Sequence, residues 1–352
     1  MKRNTLRCIR EIKRRKLDSL LISSAANVTY LTGFREAEGY LLVTREGQMV
    51  YFTNFLYAKE AQQYPAWKVA VSNNNIFNMV KIYIKKLKLK KVGFEAKLLP
   101  FLEYEKIKDS LTPQGVDFIK TIDLIEDLRA VKNRSEISLI KESVKISEQA
   151  FEFIREIYDD TMTEKGLSIE IERFLRLKGD NRVAFAPIVA GGKNSALPHY
   201  QPAEVRLDKK FFLIDLGSKY CGYCADLTRV FFWGKMPILF RKIYDIVKGA
   251  SCAAISKVKA GIPAKEVDKA ARQFIDKKGY GRYFGHGLGH GIGLSVHERP
   301  YLTPRNEDVL GEGMVLTIEP AIYIYNKFGI RIEDMVLVKQ GKAEVLSGHA
   351  NW

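Results

Sequence analysis

Apolar residues in the first third of the chain occur in short runs that are separated by glycine or polar residues. Residues 18–58 are predicted to form strands, because the segments DSLLISS (18–24), GYLLVT (39–44) and MVYFTNF (49–55) are rich in apolar and β-branched side chains. Over residues 75–91 the apolar positions recur at helical spacing, and the strand-like run KVGFE follows. This mixture predicts a small α/β domain at residues 1–123.

From residue 124 onwards the pattern predicts a larger α+β domain that extends to residue 352. It begins with a long helical stretch at residues 125–158, in which Ser135 is a candidate N-cap for the apolar repeat that starts at Ile137. Further helices are predicted at residues 165–178, 236–258 and 264–278. Strands are predicted at residues 184–190, 211–217, 224–233, 314–324 and 330–338.

Four acidic residues interrupt the apolar strands of this second domain. Asp215 lies in FFLIDLG, Asp226 in YCADLTRVFF, Glu319 in MVLTIEPAIYI and Glu333 in GIRIEDMVLV. Burying an unpaired carboxylate costs several kcal/mol, so such a group needs a cation or must become neutral. One buried acid is a common structural feature, but four in one domain call for a shared explanation.

The spacing of these acids supplies that explanation. Asp215 and Asp226 are symmetric about the turn-like GSKYCG, and Glu319 and Glu333 are symmetric about the turn-like YNKFG. Residues symmetric about a hairpin turn face each other across the two strands, so each pair places two carboxylates side by side. Such pairs are destabilising unless metal ions bridge them. Arg331 shares a strand face with Glu333 and is expected to orient a ligand carboxylate.

Histidines add nitrogen ligands to this set of oxygens. His286, His290 and His297 lie within the glycine-dense segment GHGLGHGIGLSVHERP, where glycine permits close approach to a site. A single histidine is more often structural, but three beside four unusual acids favour a functional site. Such a ligand set suits two divalent ions, and oxygen-rich ligation favours Mn²⁺, Co²⁺, Fe²⁺ or Zn²⁺ over Cu⁺. The remaining histidines are His199 and His349, and we assign no role to His349.

The net charge of +16 raises the alternative of a nucleic-acid-binding protein. The densest basic run, KIYIKKLKLKK (81–91), places its lysines opposite the apolar face of the predicted helix, so we expect a solvated surface and no nucleic-acid partner.

Composition also bears on the compartment in which the protein works. No run of about 18 apolar residues is present, so we expect no membrane span. The basic N-terminus lacks an apolar segment, so we expect no signal peptide. The four cysteines include one isolated CxxC, Cys221 and Cys224, which gives poor support for structural zinc and favours a cytoplasmic protein.

Several segments, in this order, resemble the pita-bread metallopeptidases, a family that includes creatinase, aminopeptidase P, prolidase and methionine aminopeptidase. The matching segments span most of residues 185–340 and are LPHY, IDLGSKYCGYCADLTR, GHGLGHGIGLSVHERP, GMVLTIEPAIY and GIRIEDMVLV. The segment NVTYLTGFREAEGYLLVT is similar to the creatinase-type N-terminal domain, which methionine aminopeptidases usually lack. The resemblance therefore favours an Xaa-Pro peptidase, which acts on short proline-containing peptides.

The resemblance implies a ligand set for two metal ions, with Mn²⁺ the most expected. Asp215 would bind one ion, His290 and Glu319 would bind the other, and Asp226 and Glu333 would bridge them. Creatinase itself works without metals, but all five ligand positions are present here.

The resemblance also implies catalytic and supporting roles. Glu319 would act as the general base, while His199 and His297 would contact the substrate. His286 and Arg331 match positions that support the site. Relatives of this kind are often homodimers, so a homodimer is expected.

The chain departs from the prolidase pattern next to its HExP motif. Several prolidase-like members carry an arginine directly after this motif, whereas this chain has Tyr301 there and Arg299 inside the motif. An arginine suits the free carboxylate of a dipeptide, so Tyr301 favours aminopeptidase P slightly over prolidase and leaves Arg299 as a candidate carboxylate ligand. Three alternatives stay open: a metal-free binding module on the same fold, a methionine-aminopeptidase-like enzyme, and a purely structural role for the acids.

Overall fold

The computed structural model describes residues 3–35, 38–64, 67–72, 75–207, 211–232 and 236–348. The chain divides into two compact units, Met1–Arg129 and Ala130–Trp352. His349 lies outside the described residues. None of the helices in the described ranges combines the length and the apolar composition that a membrane span requires.

The first unit contains helices and strands in alternation, which agrees with the predicted fold class. Its helices are α1 (Arg3–Arg14), α2 (Ala25–Thr32), α3 (Phe55–Ala61), α4 (Ile76–Lys86), α5 (Phe101–Leu111) and α6 (Leu124–Ala130), the last of which ends at the boundary. Its strands are β1 (Ser19–Ile22), β2 (Tyr40–Thr44), β3 (Met49–Thr53), β4 (Lys68–Val71), β5 (Lys91–Glu95) and β6 (Asp117–Thr121). Among the described residues these strands form one mixed sheet in the order β4-β3-β2-β1-β5-β6.

The predicted strands of this unit and its lysine-rich helix are confirmed. In α4, Val80 and Ile84 are buried in the core, while Lys85 and Lys86 are exposed. The apolar face therefore packs inward and the lysines lie on the solvated face, as the helical spacing predicts.

The prediction of strands alone over residues 18–58 is wrong at α2 and α3. The sequence AANVTYLT of α2 contains three β-branched residues, which lowers helix propensity. Its helical form is fixed by other forces: the Ser24 side chain accepts a hydrogen bond from the Asn27 amide, and Gly33 ends the helix at a φ of 81°. Val28 and Leu31 are fully buried, so tertiary packing overrides propensity here.

The second unit contains the remaining elements. Its helices are α7 (Arg134–Ile157), α8 (Glu164–Lys178), α9 (Ile238–Lys257) and α10 (Ala264–Lys277). Its strands are β7 (Ile188–Gly191), β8 (Phe211–Leu216), β9 (Lys219–Tyr220), β10 (Tyr223–Cys224), β11 (Leu227–Phe232), β12 (Gly289–Gly291), β13 (Glu298–Leu302), β14 (Val315–Ile318), β15 (Ala321–Ile324), β16 (Phe328–Arg331), β17 (Asp334–Leu337) and β18 (Glu344–Val345). The predicted helices at 165–178, 236–258 and 264–278 are confirmed to within two residues.

Within the described part of the second unit, two larger sheets have the orders β11-β8-β7 and β13-β12-β14-β17-β18. Strands β9 and β10 form a separate two-stranded pair, and so do β15 and β16. Helices α9 and α10 pack on the sheets and share one apolar core with them, to which Phe240, Val247, Val267, Leu316 and Val336 contribute. This core supports the inner strands from one side.

The predicted strands 224–233, 314–324 and 330–338 are each broken in two. The interruptions fall at residues 225–226, 319–320 and 332–333. Pro320 lacks the N–H that a continuous ladder needs, which accounts for the break after Glu319. Asp226, Glu319 and Glu333 thus lie between strands, and only Asp215 lies inside one.

The long helical stretch predicted at residues 125–158 is also broken, into α6 and α7. Asn133 caps α7: its side chain accepts from the Glu136 amide at 3.1 Å, and the Glu136 carboxylate accepts from the Asn133 amide at 2.8 Å. This reciprocal pair is a capping box. The prediction of Ser135 as the N-cap is wrong, because Ser135 lies inside the helix and is exposed.

We expect Asn133→Ala to lower the free energy of unfolding by about 1 kcal/mol, since it removes the cap. Urea denaturation followed by circular dichroism measures this. Ser135→Ala is the matched control and should change stability by less than about 0.5 kcal/mol. Equal losses in the two variants would contradict the assignment of the cap.

Candidate active site

A cavity of about 900 Å³ in the second unit brings most of the predicted site residues together. The predicted residues that line it are His199, Asp215, Asp226, His286, His290, His297, Glu319, Arg331 and Glu333. Arg299 is not among the lining residues; its guanidinium pairs with the Asp308 carboxylate at 2.9 Å. Tyr301, two residues later, does line the cavity.

The strand pairing that positions Asp215 differs from the predicted one. Asp215 pairs with Thr228 across β8 and β11, so the prediction that Asp215 directly faces Asp226 is wrong. The hairpin turn is Cys221–Gly222, with φ values of 49° and 86°, and it lies one residue further along the chain than the symmetric placement. A shift of one residue in the turn moves the facing partner by two residues.

Glu319 and Glu333 follow the predicted register. Ile318 pairs with Asp334 and Ala321 pairs with Arg331, so both pairings are symmetric about residue 326. Glu319 and Glu333 occupy the gap between these pairs, one on each chain segment. The prediction that they face each other is confirmed by this register.

The four carboxylates and His290 form overlapping groups that could each hold a cation. Potential ligand atoms of Asp215, Asp226 and Glu333 all lie within 4.8 Å of one another, and so do those of His290, Glu319 and Glu333. Glu333 belongs to both groups, and a third group of the same kind joins Asp226, His290 and His297. This geometry fits the predicted ligand set, whose metal-binding roles stay a prediction.

Burial and mutual repulsion dominate the electrostatics of the carboxylates. Burial raises the pKa of Asp226 and of Glu333 well above the usual range, and the neighbouring carboxylates raise both further. Burial is also the main cause that raises the pKa of Glu319 to about 8, while the Arg331 charge opposes the rise. Without a cation, these groups therefore favour their protonated forms.

The His290 ring is held in its neutral form. Its Nδ1–H donates to the Gly291 carbonyl at 3.1 Å, so the lone pair is on Nε2. The Nε2 atom lies 3.7 Å from Asp226 Oδ2 and 3.5 Å from Glu319 Oε1. Burial lowers the pKa of His290 to about 4. Gly289 allows the close approach, because a Cβ there would lie 2.1 Å from the Thr317 carbonyl oxygen.

A polar network behind the cavity orients Asp215 and Glu333. Arg331 donates from Nη2 to Asp215 Oδ2 at 2.6 Å, from Nη1 to the Tyr323 hydroxyl at 2.6 Å and from Nε to Thr228 Oγ1 at 3.0 Å. Thr228 in turn donates to Glu333 Oε2 at 2.8 Å. The predicted Arg331 contact with a ligand carboxylate is thus present, but sequence reasoning missed Thr228 and Tyr323. Thr228 could have been recognised as a site residue only from the correct register, in which it pairs with Asp215 across β8 and β11.

Asp215 provides an independent indication that a cation belongs here. Its Oδ1 is buried and has no hydrogen-bond partner among the described residues, although Oδ2 is bound by Arg331. A buried carboxylate oxygen without a partner is costly. Together with oxygen and imidazole donors from its neighbours, it forms a set that suits a divalent first-row metal ion.

The other histidines lie around the same cavity. His199 and His297 are both exposed at its open side, and the ring of His297 lies 4.4 Å from that of His290. His286 donates from Nδ1 to the Gly287 carbonyl at 2.8 Å, and burial lowers its pKa to about 4. Two histidines are thus free to meet a ligand that enters the cavity.

Residues 138–340 of the chain match the family described as "Metallopeptidase family M24". The chain belongs to this family. Residues 5–131 match the "Creatinase/Prolidase N-terminal domain", so both parts of the predicted resemblance are confirmed.

Similar proteins cover the whole length of the chain. The Xaa-Pro dipeptidase of Pyrococcus horikoshii is 35% identical, over 99% of this chain and 97% of the relative. Among solved structures, the Xaa-Pro dipeptidase from Bacillus anthracis has a TM-score of 0.93 and 34% identity, with 99% of this chain and 98% of that chain covered. The X-Pro aminopeptidase from Thermotoga maritima has a TM-score of 0.89 and 34% identity, with 97% and 99% covered.

The raised pKa of Glu319 predicts how the stability of the metal-free protein depends on pH. In the folded state this group holds its proton up to about pH 8, whereas in the unfolded chain it ionises near its ordinary value of 4.5. The folded state therefore binds more protons, so the free energy of unfolding falls as pH rises from 7 to 8.5, with a slope of up to about 1.4 kcal/mol per pH unit for one proton.

Urea unfolding in excess chelator at several pH values measures this slope. Glu319→Gln is the control, because an amide has no proton to lose and the slope should become shallower. A wild-type stability that rises over the same pH interval would contradict the electrostatic description of the site.

Proposed function

We propose that the protein is a metallo-exopeptidase that cleaves Xaa-Pro bonds with two bound divalent metal ions. The observation that carries the proposal is the convergence of four carboxylates and His290 in one cavity of a family M24 chain. Relatives named Xaa-Pro dipeptidase and X-Pro aminopeptidase supply the substrate class.

We assign the metal ligands as Asp215, Asp226, His290, Glu319 and Glu333. Asp215 would hold one ion, His290 and Glu319 would hold the other, and Asp226 and Glu333 would be shared between the two. Bound divalent ions supply polarisation of the scissile carbonyl and a lower pKa for water. Among Mn²⁺, Co²⁺, Zn²⁺ and Fe²⁺ we favour Mn²⁺.

Glu319 carries the proton during the reaction. Its side chain is 19% exposed and lines the cavity, and its pKa of about 8 in the metal-free site marks it as a strong proton acceptor once ionised. It takes a proton from the attacking water and passes it to the leaving nitrogen. This second transfer is needed because the proline nitrogen, which carries no hydrogen in the peptide bond, must leave as a secondary amine.

The remaining residues bind and orient the substrate. His199 and His297, at the open side of the cavity, donate hydrogen bonds to the substrate carbonyl as negative charge develops on its oxygen. Arg331 fixes Asp215, and His286 lines the part of the cavity next to Tyr323, with ring centroids 5.7 Å apart.

The charges in the cavity favour peptides that continue beyond the proline. Among the described lining residues, Arg331 is the one guanidinium or ammonium group, and it is already bound to Asp215. Arg299 is paired with Asp308 outside the lining, and Tyr301 occupies the position next to the motif. The free carboxylate of a dipeptide thus lacks a strong partner, so we favour an aminopeptidase P over a prolidase.

We further propose that the protein works in the cytoplasm as a homodimer. All four cysteines lie among the described residues and none of them forms a disulfide there, which is compatible with a reducing compartment. The homodimer rests on the family resemblance alone.

An activity assay on Ala-Pro and Ala-Pro-Gly tests the proposed function. We expect Mn²⁺-loaded protein to cleave the tripeptide faster than the dipeptide, and metal-stripped protein to cleave neither. Asp226→Asn is the matched inactive variant, since it keeps the fold but removes a bridging carboxylate. Full activity in Asp226→Asn or in stripped protein would overturn the metal mechanism, and faster dipeptide cleavage would instead identify a prolidase.

Glu319→Gln should lower kcat by at least about 100-fold and change KM much less, because a general base acts in the transition state. Steady-state kinetics on Ala-Pro-Gly measure both constants. Glu312→Gln, which changes an exposed carboxylate nearby in sequence, should leave both unchanged. A Glu319→Gln effect confined to KM would argue against the base.

A further inference from the structure

The segment Phe284–Leu288 follows α10 and a short 3-10 helix and leads into β12. It contains His286 and lies next to His290 in the chain. Gly285, His286 and Gly287 line the cavity, and His290 follows two residues after the segment. Alternating glycines give this backbone more conformational freedom than any other residue type would. A segment of this composition needs external contacts to hold one conformation.

An ion pair on α10 provides such contacts. Asp268 and Arg272 are spaced i, i+4, and Arg272 donates from Nε and Nη2 to the two Asp268 oxygens at 2.9 and 2.8 Å. The same guanidinium donates to the Phe284 carbonyl at 3.0 Å and to the His286 carbonyl at 2.8 Å. Asp268 Oδ1 also accepts from the Leu288 amide at 3.1 Å.

The pair is far more enclosed than an ordinary helix-surface ion pair. The Asp268 side chain is 1% exposed and that of Arg272 is 25% exposed. The guanidinium carbon also lies 4.4 Å from the Phe284 ring centroid, which adds a cation–π contact. A buried ion pair is favourable only when further hydrogen bonds satisfy its remaining donors and acceptors, and here the segment's backbone provides them.

The pair reaches the site only through the backbone. Neither Asp268 nor Arg272 lines the cavity, yet three alternate residues of Phe284–Leu288 are bonded to it. Arginine is the side chain suited to this task, because its planar fork can serve a carboxylate and two carbonyls at once, whereas lysine is a single point charge.

We propose that Asp268 and Arg272 are positioning residues that fix Phe284–Leu288 and thereby place His286 and His290. The consequence for metal binding rests on the proposed function, whereas the consequence for the backbone does not. The exposed pair Glu172–Arg176 on α8 has the same spacing and similar distances, 2.9 and 2.7 Å, and it does not line the cavity. Arg176 also donates to the Asn181 carbonyl at 3.2 Å, so Arg176→Lys is a matched comparison for the loss of an arginine–carbonyl contact away from the cavity.

The experiment compares Arg272→Lys with wild type, Arg176→Lys and Ile275→Val. Arg272→Lys keeps the positive charge beside Asp268 but loses the bonds to both carbonyls. Ile275 is a fully buried residue of α10, so its shortening perturbs the helix without touching the carbonyl contacts. Each protein is titrated with Co²⁺ alone and followed by visible absorption, and hydrogen exchange of residues 284–291 is measured on metal-free protein.

We expect Arg272→Lys to bind one of two Co²⁺ equivalents at least about 10-fold more weakly, with an altered absorption spectrum, because the backbone segment that leads to the metal-binding His290 loses two of its contacts. Exchange of residues 284–291 should accelerate in the same variant. Arg176→Lys and Ile275→Val should keep wild-type Co²⁺ affinity and wild-type exchange in this segment.

The outcomes separate the two proposals. Wild-type protein that binds no Co²⁺ would overturn the metal function, while exchange would still report on the positioning pair. Unchanged exchange and affinity in Arg272→Lys would overturn the positioning role, and so would an equal loss of affinity in Ile275→Val. If Arg272→Lys does not fold, Asp268→Asn, which keeps an acceptor for the Leu288 amide, is subjected to the same measurements and decides the question.

Discussion

The mutual repulsion of Asp215, Asp226, Glu319 and Glu333 in a buried cluster is the constraint on which the rest of this unit depends. Burial and neighbouring charge both raise the pKa values of Asp226 and Glu333, so the cluster is costly without compensating positive charge. One guanidinium, that of Arg331, compensates part of it. The breaks in the strands and the glycine-rich approach to His290 are consequences of bringing these groups to one point.

Much of the site could be predicted from sequence because its residues violate the apolar pattern around them. Carboxylates inside strand-like runs are conspicuous, and the symmetric spacing of Glu319 and Glu333 reproduces the observed register. The symmetric spacing gave the wrong strand partner for Asp215, because the turn lies at Cys221–Gly222. Cys221 has a positive φ there, a conformation that sequence normally indicates only through glycine or asparagine. The Asp268–Arg272 pair was missed because an i, i+4 pair looks the same in sequence whether it is buried or solvated.

The fold was predictable where periodicity is long and regular, as in α4, α8, α9 and α10. It was not predictable where a few local contacts decide. The capping box at Asn133 starts α7 as a new helix, so the predicted helical run is interrupted between α6 and α7. In α2 the buried contacts of Val28 and Leu31 override an unfavourable composition. In both cases the structure is decided by contacts that the intrinsic propensity of the segment does not reveal.

Anomalous diffraction from crystals soaked in Mn²⁺ tests the central claim most directly, because it locates the ions without relying on activity. We predict two peaks separated by roughly 3.5–4 Å within the cavity, with Glu333 and Asp226 in contact with both. A single peak would remove the bridging roles. No peak in the cavity at full soaking would contradict the account, since the buried carboxylates would then have to be stabilised by protonation alone.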